Sequence, residues 1–319
     1  MAAFPREHGG AMIRDGIDLC TCLRTVGAAD LSVARIIEGH FNAVMLVCRY
    51  GSEAQIDDLA SSVASGALAG VWGADDAHGL HIDGDETGKT LRGQKILASG
   101  AGFVTRPLVT ATAPEGQTLL LLDLRADYDF DISSWQVLGM KATATGSVNL
   151  SGHGVSATEI IGEPGDYMRQ PHFSGGAWRF CAAHVGAIER LVDLYRAHLN
   201  ATGRGEDPYQ LQRLAHCITS AKTARFWVED AARRLADDDD LQSVVAFANL
   251  TRMVTERCAL DVMENEQRGV GLRAFVRPHD IERICRDLAT YLRQPVPDRA
   301  MSDGARTILA SPLPLGELS

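Results

Sequence analysis

Trp135-Gln-Val-Leu-Gly-Met-Lys-Ala-Thr-Ala-Thr-Gly-Ser-Val148, followed by Glu159-Ile-Ile-Gly-Glu-Pro-Gly165, lies where two kinds of sequence meet. Upstream, from Gly70 to about Gly162, short β-type runs occur at Lys89 to Leu97, Leu108 to Ala113, Gln117 to Leu124 and Ala144 to Leu150. Asp-Gly, Pro-Glu-Gly and Ser-Gly steps separate them, which is the texture of a compact antiparallel sandwich or barrel. Downstream the helical period takes over: Leu211, Leu214, Ile218, Ala221, Val228, Ala232 and Leu235 form one stripe that begins just after Asp207-Pro208. Trp178 to Leu199, Leu241 to Arg268 and His279 to Arg293 read as further helices, and long helices joined by short turns favour an antiparallel bundle.

Working back to the amino terminus, Leu31, Val33, Ala34, Ile36, Ile37, Ala43, Leu46 and Val47 recur near helical spacing, and Ser52-Glu-Ala-Gln offers an N-cap. The expected class is therefore α+β in three parts. These are a short amino-terminal helical domain over 1–69, a central β domain over 70–162, and a carboxy-terminal four-helix-type bundle over 163–319. The acidic run Asp237 to Asp240 reads as a solvated turn, with a weak cation site as the alternative.

Composition narrows the function classes. The 319 residues are 45% hydrophobic and 23% charged, ordinary for globular chains. A net charge of −10, from 31 Lys and Arg against 41 Asp and Glu, is the wrong sign for general attraction to nucleic acid or anionic lipid. Any anionic ligand must find a local basic or amide-rich pocket. No run reaches the roughly 18 consecutive apolar residues of a spanning helix, and the first residues lack a signal peptide's apolar core. A cytoplasmic chain with a small-molecule partner, and neither nucleic acid nor membrane, is expected. Seven scattered cysteines without a C-x-x-C read as reduced, mostly buried thiols.

Over most of its length, from about Asp18 to Pro297, the sequence resembles the acyl-CoA dehydrogenase superfamily of flavoproteins. Trp135 to Val148 is similar to that family's L-G-x-(R/K)-x-(S/T)-x-(S/T) signature, which places Thr143 at the flavin. Leu91-Arg-Gly-Gln-Lys-Ile-Leu-Ala-Ser-Gly-Ala101 resembles the strand whose hydroxyl residue, here Ser99, sits at the flavin N5 region, with Leu97 where many members place a Trp. A hydroxyl there steadies charge on the reduced ring, and an apolar wall excludes water. Taken alone, the same residues make a plain hairpin with Ser99 capping a turn. Gly70-Val-Trp-Gly-Ala-Asp75 resembles the segment reaching the pyrimidine edge, with Trp72 where Thr is frequent. The family's following G-S-D pattern is missing, and the loop to Gly84 is shortened.

The late Arg283-Ile-Cys-Arg-Asp-Leu288 resembles R-x-x-R-D, although an Arg-Asp pair on a helix is most often an ion pair at the surface or between segments. Arg268-Gly-Val-Gly-Leu-Arg-Ala-Phe275 is similar to the glycine-rich turn that meets the partner subunit's pyrophosphate, through Gly269 and Gly271. A helix C-cap at Gly269 and a turn at Gly271 explain the glycines equally well. Arg204 is the basic residue nearest the family's R-x-x-F-G, without its Phe. The resemblance implies FAD held between the β domain and the bundle, and a homodimer or homotetramer.

The family's dehydrogenation takes a proton from the carbon beside a thioester carbonyl and needs a carboxylate base. At the two positions where members carry it, this chain has Gln294 or Pro295 and, in the bundle's first helix, Ala177. Expected is an FAD-dependent oxidoreductase dehydrogenating an acyl thioester or related substrate, acyl-CoA among them, with a nonstandard base. The alternatives are a flavin-dependent monooxygenase on the same scaffold and a binding protein that has lost FAD. His279 fits an H-x-x-x-R-x-x-R-D spacing, but a helix-start His is most often a cap or a packed side chain. His78 and His81 with Asp83 and Asp85, and Cys20 with Cys22, are poor metal sets, because His78 falls out of strand register and Gly84 suits an exposed hairpin.

Overall fold

The computed structural model describes residues 1–10, 13, 15–85, 88–124, 128–237, 241–293 and 296–314. Two compact units emerge: Met1–Arg14 with Arg35–Gln136 and Lys141–Arg169, and Asp15–Ala34 with Val137–Met140 and Gln170–Ser319.

The first unit combines most of helix α2 (Leu31–Tyr50) and helix α3 (Glu53–Ala64) with ten strands. These are β1 (Ala69–Trp72), β2 (His81–Asp85), β3 (Gly88–Arg92), β4 (Gln94–Ala98), β5 (Arg106–Ala113), β6 (Gly116–Leu121), β7 (Phe130–Asp131), β8 (Gly146–Asn149), β9 (Gly154–Val155) and β10 (Ile160–Ile161). The larger sheet runs β10-β6-β5-β2-β3-β9 with β1 added on β5, and the smaller runs β4-β8-β7. Most pairs are antiparallel, as the punctuation predicts, but β1 pairs with β5 in parallel, from Ala69 opposite Arg106 to Trp72 opposite Val109. Parallel pairing needs a crossover instead of a hairpin turn, so no local turn signal announces it.

Consecutive residues on a strand face opposite ways, and here both faces are covered. Val109, Ala111, Leu120 and Leu122 enter one core with Trp72, Leu80, Leu91, Ala98 and Val148. Leu108, Leu119 and Leu121 enter another, with Val44 and Val47 of α2 and Leu59 of α3. That is why Leu119 to Leu122 read as an unbroken apolar run. Ser52 opens α3 with a capping box closed by Gln55. His40 of α2 accepts from the Ala69 backbone N–H at 3.2 Å, and burial pushes its imidazole down to about 4. An 18-residue window of α2 has a mean hydropathy of 1.3, enough by length and composition for a membrane span, yet half of that window is buried inside the structure.

The second unit contains α1 (Gly16–Ala29), α4 (Trp178–Ala201), α5 (Pro208–Asp237), α6 (Leu241–Val270), α7 (Asp280–Tyr291) and α8 (Pro297–Ala310). Helices α1 and α4 approach through glycines: a Cβ on Gly27 would lie 2.1 Å from the Ala183 carbonyl oxygen, and one on Gly186 would lie 2.0 Å from that of Arg24. In this unit Arg24 pairs with Glu189 and Glu229 across three helices. His279 caps α7, its Nδ1 accepting from the Ile281 backbone N–H. None of the seven cysteines is in a disulfide, and five are buried. Of the acidic run, Asp238 to Asp240 lie outside the described residues, as do Gln294 and Pro295.

Candidate functional site

Four sequence-selected residues converge on the end of β4 in the first unit. Trp72 is buried and its indole Nε1 donates to the Ser99 carbonyl at 3.0 Å. Ser99, half-buried, accepts through Oγ from the Thr145 hydroxyl at 3.2 Å, and Thr145 in turn lies 2.8 Å from the Thr143 hydroxyl. The two segments are laced together by backbone bonds, from Gly100 N–H to Thr143 O at 2.8 Å and from Ala101 N–H to Ala144 O at 3.1 Å.

The backbone is strained on both sides of this contact. Leu97 has φ 51° and Ala144 φ 43°, left-handed values that non-glycine residues rarely take. The β4–β8 register shifts between Lys95 and Ala98, so Leu97 sits in a bulge and is 58% exposed. Such strain persists only where surrounding contacts hold it, and it concentrates at functional sites. Below the bulge, Lys95 is fully buried, its Nζ donating to Asp75 Oδ1 at 2.6 Å and Thr110 Oγ1 at 2.9 Å. Burial pulls the Lys95 ammonium below its usual range, while the Asp75 carboxylate opposes that. We call this stretch the ledge: half-buried Ser99 with its row of hydroxyls, flanked in the sequence by exposed Leu97 and Phe103.

Aromatic rings continue from the ledge. Tyr128 stands 6.1 Å from Trp72 and 5.4 Å from Phe130, and its hydroxyl accepts from the Gly102 N–H at 2.7 Å. Phe130 lines a groove of about 440 Å³ with Asp76, His78, Gln94, Asp129, Asp131 and Asn149. Gln94 donates to Asp76 at 2.8 Å and Asn149 to Asp129 at 3.0 Å. Three of its lining residues are carboxylates. The rejected metal set is spent elsewhere: Asp83 pairs with Arg92, and His81 Nε2 bonds to the His78 carbonyl.

In the second unit, the glycine turn of the L-G-M signature and the R-x-x-R-D helix fold onto each other. Asp287 accepts from the Met140 N–H at 2.7 Å, Arg286 donates to the Leu138 carbonyl at 3.1 Å, and Thr290 accepts from the Gly139 N–H at 3.1 Å. A Cβ on Gly139 would lie 2.1 Å from the Arg286 carbonyl oxygen, so only glycine fits. Arg283 pairs with Asp30 at 3.4 Å. Burial pushes the Asp287 carboxyl up, opposed by the Met140 N–H and the two arginines. The pair joins segments, as an ion pair on a helix does most often.

Residues 166–292 match the family model described as acyl-CoA dehydrogenase, C-terminal domain. Mitochondrial isobutyryl-CoA dehydrogenase of Dictyostelium discoideum is 22% identical over 309 residues, 90% of this chain and 74% of that one. Dibenzothiophene monooxygenase of Rhodococcus erythropolis is 21% identical over 349 residues, covering 95% and 82%. Among solved structures, FMN-bound TdsC from Paenibacillus sp. A11-2 superposes with a TM-score of 0.85 at 19% identity, over 97% of this chain and 87% of that one. The fold is acyl-CoA dehydrogenase-like, and the match to that family's model lies in residues 166–292.

The other sequence-selected positions gather in the second unit. Arg204 Nη1 donates to the Gly269 carbonyl at 3.2 Å, which brings these two together. A Cβ on Gly269 would fall 2.2 Å from the Tyr195 hydroxyl, so this glycine admits a neighbouring helix. Gly271 has φ 79° with open space around its Cβ position, and turns the chain at the end of α6.

Sequence reasoning missed two groups. Thr145 lies inside the quoted signature, but its role shows only once Ser99 is alongside; the signal was the Thr-x-Thr repeat within that signature. Tyr291, four residues after Asp287, packs edge-on against His184 of α4 at 4.5 Å between ring centroids. Both are buried, and neither was distinguishable in sequence from ordinary core aromatics.

Proposed function

We propose that the chain is a flavin-dependent oxidoreductase whose isoalloxazine lies on the Ser99 ledge. The observation that carries this is the three-hydroxyl row ending at a half-buried Ser99 beneath an exposed, left-handed Leu97. The residues present fit such a ring: Ser99 would offer it a hydroxyl, exposed Leu97 and Phe103 would offer apolar surface, and Trp72 holds the Ser99 backbone. A bound flavin would supply electron transfer and oxygen chemistry that no side chain offers. The FMN of TdsC, a protein of the same fold, supports a flavin, and titration with FMN and FAD decides which.

Between the two reactions, oxygenation of a small substrate is the reading favoured. Dehydrogenation needs a carboxylate beside the substrate, and the sequence has none from Gly175 to Cys181 or from Leu288 to Pro297. The second reading, dehydrogenation of an acyl thioester, is favoured by the likeness to isobutyryl-CoA dehydrogenase. A homodimer or homotetramer is part of the proposal, supported by Leu211, Ile218 and Phe226, exposed about seven residues apart along α5.

Flavin-loaded protein separates the two reactions. Incubated without oxygen with short-chain acyl-CoA and a dye acceptor, it is expected to leave the dye oxidised. Supplied with reduced flavin, it is expected to consume oxygen faster when dibenzothiophene or indole is present than without. Dye reduction by the thioester overturns the oxygenase reading.

A further inference from the structure

The direction of the hydroxyl row carries information beyond its presence. Each hydroxyl has one proton and two acceptor positions. Thr145 gives its proton to Ser99 Oγ at 3.2 Å, so the 2.8 Å contact between Thr143 and Thr145 requires Thr143 to be the donor there. The row therefore runs Thr143 to Thr145 to Ser99. Ser99 already accepts, and among the described residues no acceptor takes its own proton.

We propose that Thr145, backed by Thr143, is a positioning residue that turns the Ser99 hydroxyl proton outward, making Ser99 an obligate donor to an uncharged acceptor atom of the ligand on the ledge. A ring nitrogen or ring carbonyl is the chemistry that accepts it. The inference rests on the flavin reading above and adds a residue and a direction to it.

Three features make the orientation durable. Thr143 and Thr145 are 2% and 3% exposed, so water does not compete to reorient them. The bonds from Gly100 to Thr143 and from Ala101 to Ala144 hold the two segments at fixed separation. The indole of Trp72 pins the Ser99 carbonyl, so the serine cannot roll over as a unit. Hydroxyls in a row also polarise one another, which strengthens the terminal donor. A lone serine at the same place would divide its proton among water, backbone and ligand.

The test compares wild type, Thr145→Val, Thr145→Ser and Ser99→Ala, each titrated with FMN and FAD by flavin fluorescence quenching. The midpoint potential of the bound flavin is read in parallel, and circular dichroism verifies folding. Thr145→Val is expected to weaken binding roughly fivefold, the loss of about one hydrogen bond, and to make the potential more negative. Thr145→Ser is expected to restore both. In the Ser99→Ala background, Thr145→Val is expected to add no further loss, because the two act through one donor. Thr143→Val, one hydroxyl further back, is expected to shift both readouts in the same direction by less, and serves if Thr145→Val does not fold. Wild-type affinity and potential in Thr145→Val overturn the inference alone, as does an undiminished Thr145→Val penalty in the Ser99→Ala background. A wild-type chain that binds neither flavin overturns the flavin reading and this inference with it.

Discussion

Glu266→Gln is expected to raise the unfolding free energy at pH 7 by about 3 kcal/mol. Glu266 lies on α6 with no exposed surface, and neither carboxylate oxygen has a hydrogen-bond partner among the described residues. Tyr195 of α4, Cys217 of α5 and Cys285 of α7 are close enough to feel its charge, and none is a cation. Burial therefore pushes the carboxyl up to about 9 from 4.5, and the folded protein holds a neutral acid.

The direction with pH follows from which state binds the proton. The unfolded chain releases it above about 4.5, whereas the folded chain keeps it to about 9. The contribution of this group is fully present below 4.5 and is lost as pH rises towards 9, at roughly 1.4 kcal/mol per unit. Gln resembles the neutral acid in shape and removes the titration, so the variant's gain is expected to grow from pH 5 to pH 8. Urea unfolding at several pH values measures it. Equal midpoints for the two proteins across that range would contradict the assignment of a neutral Glu266.

Asp287→Ala is expected to cost about 3 kcal/mol, through the buried pair it breaks and the donor it strands. Its carboxylate is the acceptor for the Met140 N–H, and Met140 is itself held at φ 60°. Without it, Arg286 keeps Glu282 and the Leu138 carbonyl, and Arg283 keeps Asp30, so the loss falls mainly on the Leu138-Gly139-Met140 turn. Asp287→Asn retains a carbonyl oxygen for the N–H and is expected to lose less than half as much. Denaturant midpoints of the three proteins decide it. An Asp287→Ala midpoint equal to wild type would contradict an anchoring role.

Both variants bear on what the sequence discloses. The α+β class and the order of helical, β and helical segments were legible because period two and period 3.6 alternate cleanly along the chain. The glycine of Leu138-Gly139-Met140 and the Arg286-Asp287 step were legible as separate motifs, but not as partners, because they lie about 150 residues apart. Periodicity could not divide helix α2, whose residues to Ala34 belong with the bundle and from Arg35 with the sheets. Nor could it reveal the parallel β1–β5 pair, whose register is set through space.

At the candidate site, residue types were readable and directions were not. Ser99, Trp72, Leu97 and Thr143 were selected from the sequence and meet at one place, whereas the donor order through Thr145 depends on distances. Glu266 lies inside the stretch from Leu241 to Arg268 that reads as a helix; only its surroundings show that it has no counter-charge. Gly269 and Gly271 looked like phosphate-approach glycines, yet each has a sufficient internal reason, in Tyr195 and in the left-handed turn.

The most direct measurement is a crystal structure of the protein grown with FMN or FAD, in which the ring is located independently of any assay. The isoalloxazine is expected on the ledge, with an acceptor atom within hydrogen-bond distance, roughly 3 Å, of Ser99 Oγ. A ring bound elsewhere, or turned so that Ser99 faces only carbon, would contradict it.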